Sequence, residues 1–184
     1  LFIDSHERLG DLATRGVGEP ISDEQIDFSV FSPRAVEALK RGPFYMGVPL
    51  ALKSVALYVN PTLVPEVPAT LEGVANLASS LPKDAYPLVY PAGTMYGHAP
   101  ILHAFGGSQL APDGSFGFVG PEAARSVDLV RDFVKRGVVP EEVTGSLVTE
   151  LFRTGRAATV VSGPWFPGDL DPEGAAGAEA PHLQ

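Results

Sequence analysis

Val55-Ala56-Leu57-Tyr58-Val59 has no polar position between its first and last residues. A strand with one wet face alternates polar and apolar side chains. An unbroken run therefore predicts a strand covered on both faces, as in α/β sheets. Asn60-Pro61 ends it. Pro87-Leu88-Val89-Tyr90 and Ala157-Ala158-Thr159-Val160-Val161 are two further strand-sized runs. Helical patterns lie between them. Thr70 is placed to cap a helix over 71–81, and a second helix runs from Met95 to Phe105 and stops at Gly106-Gly107. After Pro121, apolar residues at Ala123, Val127, Val130 and Val134 form a helical stripe. Another helix covers 146–153 and stops at Gly155. Helices alternating with covered strands predict the α/β class.

The first fifty residues read differently. Residues 1–3 suggest a strand end, and Asp4-Ser5-His6-Glu7 offers caps for a short helix toward Thr14, closed by Gly16 and Gly18. Ser22 and Gln25 have capping-box spacing and predict a helix start. Ser32-Pro33 starts another helix, closed by Arg41-Gly42-Pro43. Residues 44–50 suggest a strand interrupted by Pro49. From Gly168 onward, Gly, Ala and Pro dominate and no element is assigned.

Composition narrows function. Among 184 residues, 13 Lys+Arg against 22 Asp+Glu leave a net charge of −9. That argues against binding nucleic acid or an anionic membrane surface. The 45% hydrophobic content excludes disorder of the whole chain. There are no cysteines, so thiolate chemistry and Cys-ligated zinc are excluded. His98 and His103 stand about 140° apart on a helix and do not share a face. No HExxH, Gly-x-Ser-x-Gly or phosphate-cradling glycine loop occurs. No metal, cofactor or catalytic group is therefore expected, and no apolar run approaches the roughly 18 residues of a membrane span. The opening Leu1-Phe2-Ile3, without Met or leader, suggests a piece of a longer protein.

Residues 152–165 place Phe-x-x-Gly at a helix end, then a small-residue strand, then Gly163-Pro164-Trp165. This resembles the extracellular solute-binding proteins of ABC importers, in their maltose-binding-protein-like, sugar-binding branch. Three more segments match in the same order. They are His6-Glu7-Arg8-Leu9-Gly10, then Val48-Pro49 with Leu57-Tyr58-Val59-Asn60, then 88–107 with Tyr96 and Phe105-Gly106-Gly107. The resemblance implies a type II periplasmic-binding-protein-like α/β fold. Residues 1–50 would be a remnant of the first lobe, 51–168 the second lobe, and 169–184 a return segment or tail. It implies a non-catalytic, periplasmic or extracellular component that binds an oligosaccharide between lobes and docks on permease subunits.

Sugars present C–H faces and hydroxyl edges, so their sites combine aromatic faces with polar groups. By resemblance, Trp165 and Tyr96 are stacking platforms, and Glu7 and Arg8 hydrogen-bond sugar hydroxyls. Asp4 stands where maltose binders carry an aromatic, and Lys53 where they carry an acid. Both departures turn the expectation away from maltodextrin, and Lys53 suits a more polar or anionic ligand. The alternative is a truncated interaction domain, fused to or associated with a permease, that binds no sugar itself. A glycan-processing enzyme is a third reading with no motif behind it.

Overall fold

The computed structural model describes residues 2–171. The chain divides into two compact units at the Lys53–Ser54 junction. Leu1 and residues 172–184, with most of the tail expected from 169, lie outside the described residues.

In the first unit a 3-10 turn, His6–Arg8, leads into helix α1, Leu9–Thr14, and a second 3-10 turn covers Phe28–Val30. Residues 2–5 carry no strand, and no described strand pairs with Phe2 or Ile3, so the strand end expected there is not formed. The helix expected at Ser22 is also not formed. Gln25 N–H reaches the Ser22 carbonyl at 3.0 Å, and Gln25 Oε1 accepts from Ser22 N–H at 2.8 Å. The capping partners thus close a lone turn, and no apolar stripe follows to extend it. Helix α2, Pro33–Leu39, begins with proline in its first turn. Strands β1, Lys40–Arg41, and β2, Phe44–Tyr45, form an antiparallel hairpin. The strand expected over 44–50 stops at Tyr45. Tyr45 stacks on Phe28 with ring centroids 3.9 Å apart.

The second unit is built on a three-stranded sheet of order β3-β5-β4, formed by β3, Ala56–Val59, β4, Tyr86–Val89, and β5, Ala157–Ser162. The central β5 runs antiparallel to β3 and parallel to β4. β3 is an edge strand, with Ala56 and Leu57 exposed. This corrects the expectation of a strand covered on both faces: its apolar run fits a half-covered edge. β4 from Pro87 onward and the first four residues of β5 are deeply buried.

Helices cover both faces of the sheet. α3, Leu71–Asn76, α4, Met95–Ala104, and α5, Pro121–Lys135, pack one core with Leu88, Tyr90, Ile101 and Phe133. α6, Gly145–Arg153, and α7, Phe166–Leu170, pack the other with Val89, Val148, Leu151 and Phe166. Leu88 and Val89 divide between the two cores because successive strand residues face opposite ways. Thr70, Thr94 and Thr144 each cap a helix by accepting the backbone N–H three residues on.

Three helices depart from expectation: α3 ends at Asn76 and passes into a 3-10 turn, Leu77–Ser79, short of the 71–81 span expected. On α5, Val127 is 47% exposed, while Ala123, Ser126 and Phe133 are buried. The inward stripe includes a serine, which hydropathy reads as a surface residue. α7 runs through Gly168, where no element was expected, and Pro167 sits harmlessly in its first turn.

Candidate functional site

The site is assembled by the turn that follows β5. α6 ends at Gly155, whose φ of +70° disfavours any side chain. Gly155 N–H bonds the Phe152 carbonyl at 3.1 Å and Arg156 N–H the Leu151 carbonyl at 2.7 Å. This double closure reverses the chain directly into β5. At the far end of β5, the Tyr58 hydroxyl donates to the Gly163 carbonyl at 2.9 Å. A Cβ at Gly163 would collide with the Trp165 ring, so glycine lets the indole lie back over the backbone.

Two adjacent aromatics then part. Phe166 is 1% exposed and packs between the rings of Tyr58 and Phe152, at 4.9 and 5.3 Å. Trp165 is 44% exposed. The core position is filled by Phe166, which the sequence reading did not single out, and the indole faces outward.

Tyr96 reaches the same place from α4. Its helix start is fixed by Thr94, whose Oγ1 accepts from Gly97 N–H at 3.0 Å. Tyr96 is 52% exposed, and its ring lies 6.1 Å from that of Trp165 at an interplanar angle of 36°. A sugar ring held between two aromatic faces would need roughly 7–8 Å between them, twice a carbon–carbon contact. The pair is therefore an angled platform and not a clamp. Both rings line one cavity of about 120 Å³, partly open to solvent. Val148 and Phe166 contribute apolar wall, while Thr149, Ser162 and Asp169 bring hydroxyls and a carboxylate to it. These three polar residues escaped the sequence reading because they stand on separate elements and meet only in the fold.

The remaining candidates belong to the first unit. Arg8 and Asp4 form an ion pair at 3.0 Å, one helical turn apart, and Asp4 also accepts from Ser5 N–H at 2.8 Å. Arg8 is thus held by Asp4. Glu7 is exposed beside it on the 3-10 turn. Lys53 is exposed at the last position of the unit. The structure brings Tyr96 and Trp165 together, and separately Asp4 and Arg8.

The histidines have individual partners. His98 Nε2 lies 2.9 Å from Ser126 Oγ, and His103 Nδ1 lies 3.0 Å from the Gly107 carbonyl. Ser126 gives its own proton to the Ala123 carbonyl at 2.7 Å, so His98 Nε2 is the donor to Ser126. Burial holds the His98 pKa below its ordinary value. Among the described residues no group of three or more His, Asp or Glu could hold a metal ion, and no helix is long and apolar enough to cross a membrane.

The sequence profile described as bacterial extracellular solute-binding protein matches residues 1–178. A maltotriose-binding protein of Pyrococcus abyssi is 27% identical over 95% of this chain and 39% of its own length. A galactooligosaccharide-binding protein of Bacillus subtilis is 22% identical over 86% and 41%. Among solved structures, a cyclo/maltodextrin-binding protein complexed with maltotetraose superposes with a TM-score of 0.78 and 31% identity, over 95% of this chain and 47% of that one. The Thermus thermophilus maltotriose binding protein bound with maltotriose gives 0.76 and 27%, over 91% and 47%. This chain therefore spans about 40% of the length of the curated relatives it matches. Its α/β architecture is that of the type II periplasmic-binding-protein fold.

Proposed function

The chain belongs to the bacterial extracellular solute-binding proteins, and from that premise we propose that it serves the substrate-binding component of an ABC importer for oligosaccharides. Membership assigns it to solute binding and not to catalysis. The observation that carries the sugar reading is the Tyr96–Trp165 platform, two half-exposed rings on one cavity. A pyranose lays its C–H face on such a surface, while hydroxyl and carboxylate groups take up its edge hydroxyls. Thr149, Ser162 and Asp169 supply those groups on the same cavity. Glu7 and Arg8 are further candidate contacts by resemblance. Arg8 would have to share its guanidinium between a ligand and Asp4. Asp4 and Lys53 are the positions through which the chain would depart from maltodextrin. The family's extracellular character supports placement outside the cytoplasmic membrane.

A second reading is an interaction domain that keeps the fold and associates with a permease without binding sugar. The ion pair that already holds Arg8 to Asp4 favours it.

Calorimetry on the gene product carrying this chain, against maltooligosaccharides and galactooligosaccharides, separates the two. Saturable binding is expected, and Trp165→Ala should weaken it by roughly 1–2 kcal/mol, the loss of one stacking face. Unchanged affinity in that variant would remove Trp165 from the site. Absence of binding to every sugar, with a stable permease complex, would establish the second reading.

A further inference from the structure

The Gly163 carbonyl accepts from two donors. The Tyr58 hydroxyl reaches it at 2.9 Å and Phe166 N–H at 3.1 Å. The Phe166 bond closes a four-residue turn over 163–166, with Pro164 and Trp165 at its two middle positions. Trp165 has φ −75° and ψ −22°, and its own carbonyl accepts from Asp169 N–H at 3.1 Å. The backbone that carries the indole is therefore fixed on both sides. Its ring lies against Gly163, where any Cβ would collide with it. Tyr58 thus holds the residue on which the indole is seated. It also holds the far end of the turn, because its ring packs on that of Phe166 at 4.9 Å. Tyr58 stands on β3 and is not among the residues that line the aromatic cavity. Its route to a ligand there runs through the turn.

We propose that Tyr58 is a positioning residue for the aromatic platform: by gripping the Gly163 carbonyl it keeps the Trp165 indole in one orientation beside Tyr96. The proposal rests on the reading of that platform as a sugar site. A ring already held in place gives up little rotational freedom when a ligand lands on it. A ring that must be immobilised at the moment of binding weakens affinity instead. Trp165 is 44% exposed, so solvent does little to confine it and the seat must come from the turn. The Tyr58 hydroxyl is suited to this task. Burial raises its pKa above the ordinary value, so it keeps the proton it donates.

Tyr58→Phe tests it, since the variant keeps the ring against Phe166 and removes only the hydroxyl. The measurements use the gene product carrying this chain. The indole N–H signal of Trp165, identified by its loss in Trp165→Ala, should show greater mobility in heteronuclear NMR relaxation once Tyr58 is replaced. Calorimetry with maltooligosaccharides and galactooligosaccharides should show affinity lowered by roughly two- to tenfold, the size of one side chain newly immobilised on binding. Added to Trp165→Ala, Tyr58→Phe should lower affinity no further, because its effect passes through the indole. A merely structural loss would add to that of Trp165→Ala and would overturn the positioning role. So would a Tyr58→Phe variant unchanged in either indole mobility or affinity. A wild-type protein that binds no sugar of either kind would overturn the sugar reading itself, an outcome seen before any variant is made.

Discussion

The two units close their cores to different degrees. In the second unit Leu88, Val89, Phe133, Ala157, Ala158 and Val160 are all 0% exposed. In the first, Leu12, Phe28, Ala35, Leu39 and Tyr45 range only from 7% to 9%. The second unit has a sheet with helices on both faces, and strand residues inside it see protein whichever way they point. The first has a hairpin of two two-residue strands and short helices, so each buried side chain still meets water at its rim. Three covered layers make the difference; apolar residues are present in both units.

The largest test of this contrast is a matched pair of truncations. Phe133→Ala should destabilise the second unit by about 3–5 kcal/mol, the full transfer and cavity loss of a dry site. Phe28→Ala should remove about half as much from the first, because its ring is less completely enclosed and its stack on Tyr45 can relax. Denaturant titrations followed by circular dichroism would measure both, and equal losses would show that the first core is as tightly closed as the second. Thr159→Val probes the second core more finely. Thr159 is 0% exposed and its hydroxyl donates to the Pro87 carbonyl at 2.7 Å, bridging β5 and β4. Removing the donor should cost about 1–3 kcal/mol in the same titration. No loss would show that the strands hold without the bridge.

The smallest expected effect concerns pH. His98 has a folded pKa below its ordinary value of 6.5 because burial disfavours the charged ring. As pH falls below about 6.5 the unfolded chain takes up this proton before the folded one does. Stability should therefore decline as pH drops from about 7 toward 5, until the folded pKa is passed. His98→Gln should flatten that slope, as thermal melts at successive pH values would show. An unchanged slope would assign it to other groups.

Much of the second unit was legible in the sequence, because its signals are local. Continuous apolar runs marked β4 and β5, Thr70 marked a helix start, and Gly155 and Gly106-Gly107 marked helix ends. What escaped depends on distant partners. Ser126 sits on the buried stripe of α5 because His98 and the Ala123 carbonyl satisfy it there, and Val127 is displaced outward. The apolar run of β3 gives no sign that it lies at the sheet edge. Trp165 and Phe166 are neighbours of similar hydropathy. Only the rings of Tyr58 and Phe152 decide which of the two is drawn inward. In the candidate site, the aromatic pair was legible from its motifs, whereas Thr149, Ser162 and Asp169 converge on it from α6, β5 and α7.

The central position of β5 has a consequence for the order of assembly. Among the described residues β3 and β4 do not pair with each other; each pairs with β5, the last of the three in sequence. Tyr58 and the Gly163 carbonyl it binds stand 105 positions apart. During synthesis both earlier strands must wait for residues 157–162 to emerge, and helices α3 to α6 can only gather around an unfinished centre. Closure over so long a separation is slow, since the loop entropy must be overcome before any ladder bond compensates it. A ribosome that stalls before β5 releases a chain with two orphan strand edges, the kind of intermediate that aggregates.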